Sequence, residues 1–201
     1  MAVLLICAAA LALPGAASAG GGSVVTVFAA YTGAGKPTLP VRGARGYCWT
    51  GSIAAPRRGA WRCFVGNDIH DPCFSSARAA AVVVCPNPQL TLATEIHLTR
   101  PLPRSMANHA APGPRSRPWL VELGASRVAG TTGARCEIVT GATSVLAGVS
   151  ESYFCAGRAL RTVGLWGAPA KGPRGLSIRI APDDSRTLAH AARVPIVHAW
   201  V

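Results

Sequence analysis

The densest group of polar side chains lies in the segment NDIHDP, residues 67–72. Asp68, His70 and Asp71 are of the types that bind a cation or exchange protons with a substrate, so they are candidates for acid–base catalysis. Asn67 and the Asp71-Pro72 pair are also typical of turns closed by side-chain hydrogen bonds, which is a purely structural interpretation. The chain has no Gly-x-Ser-x-Gly elbow and no His-Glu-x-x-His motif. Catalysis by these three residues is therefore an alternative hypothesis and not the leading one.

Arginines form the second candidate site. The chain has 20 Lys+Arg against 8 Asp+Glu, a formal net charge of +12. If the turn near residue 57 and the proline-rich stretch after residue 99 lie on one side, their arginines form a positive patch suited to phosphate or carboxylate groups. Because Ala, Gly and Pro are also abundant, GC-rich codons explain part of the arginine excess, and a solvated surface is the structural alternative. The candidate binding residues are Arg57, Arg58, Arg62, Arg100, Arg104, Arg115 and Arg117.

Two tryptophans, Trp49 and Trp61, flank the first of these arginine segments and could stack a ring of a ligand. A hairpin that places Cys48 opposite Cys63 also places Trp49 opposite Arg62. The two indoles then point to opposite faces and cannot form one platform. Packing in a core is the favoured interpretation, because tryptophan is mostly buried on average.

The first 19 residues predict a signal peptide. Residues 2–13 are apolar, and Ala17-Ser18-Ala19 has the small-x-small form of a cleavage site. The apolar run is shorter than the roughly 20 residues that a membrane span needs, which argues against an anchor. The segment lacks the usual basic residue near its start, which predicts that the true start codon lies further upstream. We expect a mature chain from about Gly20, with no transmembrane span.

Six cysteines remain after removal of Cys7, and an even number in an exported chain predicts three disulfides. Turn residues lie midway between the members of two pairs, as expected for hairpins joined by a disulfide. The remaining two cysteines then pair by elimination, although Cys48–Cys85 with Cys63–Cys73 stays open as an alternative. No close-spaced ligand pair points to a metal. The favoured pairs are Cys48–Cys63, Cys73–Cys85 and Cys136–Cys155.

Short β-favouring segments separated by turns recur along the chain, as in residues 23–32, 81–85 and 90–99. They predict a mainly β fold, an antiparallel sandwich or barrel-like architecture, with at most one or two short helices. Residues 33–46 and 65–76 look like loops, and residues 183–193 like the one helix. The predicted organisation is a signal peptide at 1–19, a first β lobe with four cysteines at 20–99, a Pro/Arg-rich loop or linker at 100–118, and a second β lobe with two cysteines at 119–201.

The spaced Cys, Trp and Gly positions resemble those of small secreted proteins from actinobacteria. The resemblance rests on CWTGSIAAPRRGAWRCFVGNDIHDPCF, VVVCPNP, PWLVEL, CEIVTGAT, ESYFCAGR and the terminal HAW, and it covers roughly residues 46–201. The family has no assigned activity. The resemblance therefore implies export and disulfides, and it transfers no catalytic residue.

The leading prediction is a secreted or envelope-associated, non-catalytic protein that binds an anionic envelope polymer or lipid head groups through its basic surface. Nucleic acid suits the charge, but export argues against it as a target in vivo. The alternatives are a small secreted hydrolase that uses Asp68, His70 and Asp71, and a structural envelope protein. No cofactor is expected.

Overall fold

The protein is described here by a computed structural model that covers residues 22–111, 113, 116–125, 133–155, 163–182, 187–189 and 191–201. The predicted signal peptide, Arg115, and residues 183–186 and 190 of the predicted helix at 183–193 lie outside these residues. The fold is mainly β, as predicted, with thirteen strands and one 3-10 turn in the described part of the chain. The helix prediction is wrong for its described residues, because residues 187–189 and 191 lie in no helix and Ala192 and Arg193 begin the last strand.

Five strands close into a first barrel. Neighbouring strands pair antiparallel, except that the first and last pair in parallel and so complete the ring. The strands are β2 (Val41–Gly51), β3 (Ala60–Val65), β4 (Asp68–Ser76), β5 (Ala79–Pro86) and β6 (Ala93–Leu98).

Two segments of this barrel look like loops in the sequence and are strands in the structure. Residues 41–46 are rich in glycine and arginine, yet they form half of β2, because each pairs in parallel with a residue of β6. Gly46 is required there, since a Cβ atom would lie 2.0 Å from the carbonyl oxygen of Phe64. Residues 68–76 form β4 because β3 and β5 supply partners on both edges. Pairing with distant strands thus overrides weak local β propensity.

The β2–β3 hairpin has Cys48 opposite Cys63, as predicted, but its register changes at the next residue. A β-bulge at Trp49 places Thr50, and not Trp49, opposite Arg62. Trp61 lies inside the barrel and is buried, whereas Trp49 is half-buried on the outer surface. The two indoles therefore occupy opposite faces of the hairpin.

The interior of the first barrel is filled largely by sulfur. Its buried residues come from all five strands and are Cys48, Trp61, Cys63, Cys73, Val83, Cys85 and Ile96. The disulfides Cys48–Cys63 and Cys73–Cys85 lie inside this cluster, and Cys136–Cys155 joins two strands elsewhere. These are the three favoured pairs, and the alternative pairing of the first four cysteines is not formed.

The second sheet has eight strands in the described part of the chain. They are β1 (Val24–Thr26), β7 (Leu120–Leu123), β8 (Arg135–Ile138), β9 (Val145–Leu146), β10 (Val149–Cys155), β11 (Val163–Gly172), β12 (Gly175–Pro182) and β13 (Ala192–Trp200). The sheet closes where β13 pairs with β7. The other edge of β13 pairs with β12 and then, in parallel, with β1.

One apolar core continues from the interior of the second barrel to the outer face of the first. At their junction, the ring of Phe28 lies 5.5 Å from that of Phe74 on β4 and 5.5 Å from that of Trp119. Residues 24–26, which the predicted organisation assigns to the first lobe, pair with β13 of the second barrel. The two barrels therefore pack as one body in which the beginning of the described chain belongs to the second barrel.

Residues 99–111 form an extended strap that follows β2 along the first barrel, with one 3-10 turn at Arg104–Met106. Its start is fixed by hydrogen bonds of 2.8 Å and 3.0 Å from Thr99 to the carbonyl oxygen of Gly46. Leu102 and Ala107 pack against the sulfur-rich cluster of the first barrel. This part of the predicted linker is therefore a packed cover of the barrel.

Candidate functional site

The carboxylate of Asp71 holds the turn between β2 and β3. Its side chain is only 1% exposed. It accepts hydrogen bonds from the hydroxyl of Ser52 and from the backbone N–H groups of Ile53 and Ala54, at 3.2 Å and 3.4 Å for the latter two. The guanidinium of Arg62 lies 3.8 Å away. These contacts occupy both carboxylate oxygens, so Asp71 serves as a structural anchor.

The three candidate catalytic residues do not converge. Asp68 is exposed at the start of β4, whereas His70 is half-buried in the wall of a cavity. Burial lowers the pKa of His70, and the charge of Asp68 opposes this shift. Asp71 lines the same cavity but is engaged by the turn. The structure thus brings His70 and Asp71 together and leaves Asp68 outside.

This cavity lies between the barrels, has a volume of about 260 Å³ and is lined by His70 and Asp71 on one side and Glu137 of β8 on the other. Sequence reasoning did not single out Glu137. The alternation of buried and half-buried residues along β8, Cys136-Glu137-Ile138, is the pattern that turns its side chain out of the second barrel. Burial raises the pKa of Glu137, and no hydrogen-bond partner for its carboxylate lies among the described residues.

We expect Glu137→Gln to raise the melting temperature at neutral pH. Because burial raises its pKa, the folded protein holds the Glu137 proton more tightly than the unfolded chain does. The stability contribution of this group is therefore complete below its ordinary pKa of 4.5 and is lost as the pH rises through the folded pKa. Glutamine removes the cost of burying the charge. Thermal unfolding from pH 4 to 8 should show a gain at neutral pH that shrinks on acidification.

Glu122→Gln is the matched control for this substitution. Glu122 lies on neighbouring β7, and its carboxylate accepts a hydrogen bond of 3.1 Å from Arg135. Its replacement removes an ion pair and should give no gain. If Glu137→Gln raises the melting temperature by the same amount at every pH, the gain does not come from removal of a buried charge, and our inference about Glu137 is wrong.

Two of the candidate binding arginines, Arg57 and Arg62, are buried. Their prediction as exposed ligand-binding residues is therefore wrong. Arg57 donates a 2.7 Å hydrogen bond to the carbonyl oxygen of Phe28 and lies over the ring of Phe74, 4.5 Å from its centroid. Arg62 donates a 2.8 Å hydrogen bond to the carbonyl oxygen of Thr140, in the second barrel. Both guanidinium groups fix the junction of the barrels, because each reaches a backbone acceptor far away in sequence.

A stack of rings and guanidinium groups lies on the outer face of the β2–β3 hairpin. Trp49 and Phe64 are stacked with centroids 4.3 Å apart, and Tyr47 lies 5.6 Å from Phe64. Arg62 lies over the ring of Trp49 at 5.5 Å, and Arg100 lies over the ring of Tyr47 at 3.7 Å. Each of the three rings therefore contacts two neighbours in the stack, so its aromatic surface is engaged within the protein.

The remaining candidate arginines differ in their surroundings. Arg100, Arg104 and Arg58 are exposed along the strap and the adjoining turn, on one side of the first barrel. Arg117 is also exposed, and its charge opposes the rise that burial causes in the pKa of Tyr153 in the second barrel. Arg115 lies outside the described residues. The predicted patch is thus reduced to a row of three arginines, of which Arg100 alone stacks on a ring.

Comparison with protein-family models, with curated proteins and with solved structures finds no match for this chain. The part of the chain that the structure describes contains no candidate for a membrane-spanning helix.

Proposed function

We propose that the chain is a secreted, non-catalytic protein that binds a polyanion of the cell envelope through Arg100, Arg104 and Arg58. Three disulfides support a location in an oxidising compartment. The signal-peptide-like first residues and the resemblance to secreted actinobacterial proteins support the same location. The phosphate or carboxylate groups of an envelope polymer are the ligands that exposed guanidinium groups recognise.

The observation that carries this proposal is the position of Arg100. Its guanidinium lies 3.7 Å from the centroid of the Tyr47 ring, and no acceptor for its N–H groups is found among the described residues. The hydrogen bonds from Thr99 to Gly46 anchor the backbone next to it. Stacking restrains the guanidinium and leaves the N–H groups at its edge directed away from the ring, where an oxyanion can accept two of them.

We expect Arg100→Ala to weaken binding to a polyanion about tenfold, which corresponds to about 1.4 kcal/mol and to the loss of one charge-assisted contact. Arg100→Lys keeps the charge but loses the planar fork, so its affinity should fall between those of the wild type and the alanine variant. Tyr47→Leu should also weaken binding, because it removes the ring that restrains Arg100. The measurement is the salt concentration that elutes the oxidised protein from heparin and phosphocellulose resins.

Arg174→Ala is the matched control. Arg174 is exposed in the second barrel, between β11 and β12, and its loss changes the net charge by the same amount. It should elute near the wild type. Equal losses for Arg174→Ala and Arg100→Ala show that only net charge matters and contradict a specific site.

A further inference from the structure

Two large apolar side chains stand exposed at one end of the first barrel. Ile53, in the turn between β2 and β3, is 56% exposed, and Met106, in the 3-10 turn of the strap, is 52% exposed. A single exposed apolar residue needs no explanation, but two from different segments at one place form a patch. We call Ile53, Met106 and the exposed arginines beside them, Arg58 and Arg104, the amphipathic tip.

The two segments of the tip are fixed against each other by polar contacts. The side-chain amide of Asn108 donates a 2.9 Å hydrogen bond to the carbonyl oxygen of Ser52, next to Ile53. The backbone N–H of Arg58 donates a 2.7 Å hydrogen bond to Ala110 of the strap. Gly51 lies so close to the strap that a Cβ atom would be 2.9 Å from the carbonyl oxygen of Met106. The tip is therefore a preformed surface.

The two segments that form the amphipathic tip carry only positively charged side chains. Residues 51–59 and 99–111 contain no aspartate or glutamate. The carboxylate that binds the turn, Asp71, is 1% exposed and is directed into the protein. Exposed apolar side chains are thus flanked by arginines, with no acidic residue in either segment to repel an anionic surface.

We propose that the amphipathic tip docks on the surface of a bilayer that contains anionic lipids. Ile53 and Met106 would enter the boundary between head groups and acyl chains, and Arg58 and Arg104 would contact lipid phosphates. A soluble polyanion uses the arginines but offers nothing to the two apolar side chains, which favours a lipid surface as the occupant of this patch. The inference rests on the proposed function in one respect, because Arg58 and Arg104 belong to both surfaces.

The test is cosedimentation of the full, oxidised protein with vesicles of phosphatidylcholine alone or of an equimolar mixture with phosphatidylglycerol. We expect binding to the mixed vesicles and little binding to phosphatidylcholine. The double variant Ile53→Ser/Met106→Ser should lose about tenfold in partition coefficient, because two apolar side chains no longer leave water. Arg58→Ala/Arg104→Ala should remove most of the dependence on phosphatidylglycerol. Both pairs are exposed, so folding should be retained, which circular dichroism checks.

The control for the apolar pair is Leu92→Ser/Val145→Ser, which changes two exposed apolar residues that lie elsewhere. It should bind vesicles like the wild type. Equal vesicle binding by Ile53→Ser/Met106→Ser and the wild type overturns the inference. If the wild type does not bind the mixed vesicles at low salt, the lipid inference is also overturned. A protein is then the remaining class of partner for the amphipathic tip.

Heparin retention separates this inference from the proposed function. The Ile53→Ser/Met106→Ser variant should elute from heparin like the wild type. If Arg100→Ala also elutes like the wild type while the apolar double variant loses vesicle binding, the polyanion proposal fails and the lipid inference stands.

Discussion

Replacement of Cys73 and Cys85 by alanine should unfold the first barrel, or reduce its free energy of unfolding by more than about 3 kcal/mol. The disulfide closes a sequence separation of 12 residues, which alone contributes roughly that amount in the chain-entropy model. Both sulfurs also fill the interior, where Trp61, Ile96 and Val83 are the buried residues other than cysteine among those described. Their loss therefore leaves a cavity in addition to the entropy term. Urea denaturation followed by tryptophan fluorescence and circular dichroism measures the effect.

The matching variant of the second barrel replaces Cys136 and Cys155. Their sequence separation of 19 gives a similar entropy term. The surrounding core, however, contains fully buried large side chains such as Leu165, Ile178 and Ile180. We expect this variant to remain folded with lower stability. If it unfolds while the Cys73/Cys85 variant remains folded, the first barrel does not depend on its sulfur-rich interior as we infer.

Asp71→Ala should lower the free energy of unfolding by about 3 kcal/mol, because it leaves the donors of the β2–β3 turn and the buried Arg62 guanidinium without their anionic partner. The hydroxyl of Ser52 and the N–H groups of Ile53 and Ala54 lose their bonds, and Arg62 loses its counter-charge. Asp71→Asn should lower the free energy of unfolding by less than Asp71→Ala does. It preserves the shape and one acceptor oxygen, and it removes a charge whose burial raises the pKa of Asp71. Chemical denaturation at neutral pH should rank the wild type above Asp71→Asn and Asp71→Asn above Asp71→Ala.

Asp68→Ala serves as the control for the anchor role of Asp71. Asp68 is exposed on the same strand, so its removal should change stability by no more than about 0.5 kcal/mol. Equal effects of the two alanine substitutions would refute the anchor role of Asp71.

The cysteine pairs could be predicted because their determinants are local. Cys48 and Cys63 lie symmetrically about a Pro-Arg-Arg-Gly turn, and Cys136 and Cys155 about a glycine-flanked bend. Each pair joins neighbouring antiparallel strands in the structure. The mainly β class followed from the same short-range signals, since turns and β-branched residues recur along the sequence.

The functions of the arginines could not be predicted, because their partners are distant. Arg57 bonds a carbonyl 29 residues away, and Arg62 bonds one 78 residues away. Sequence alone cannot distinguish such a buried guanidinium from an exposed one. The bulge at Trp49 could not be predicted either. One extra residue shifts the later residue pairs of the β2–β3 hairpin, and nothing in the amino-acid composition indicates it.

Glu137 was missed because its surroundings come from the other barrel. The sequence around it, ARCEIV, shows an ordinary strand with one acidic residue facing outward. Only the packing of the barrels places His70 and Asp71 across a cavity from it.

The parallel pairing of β1 with β13 has a consequence for the order of events in biosynthesis. The second barrel also needs β13 to close against β7, so neither contact can form until β13 has been synthesised. Until then, Phe28 and Trp119 lack the completed sheet that shields them. The five strands of the first barrel all precede β13 in the chain, so the first barrel can close before the second one does.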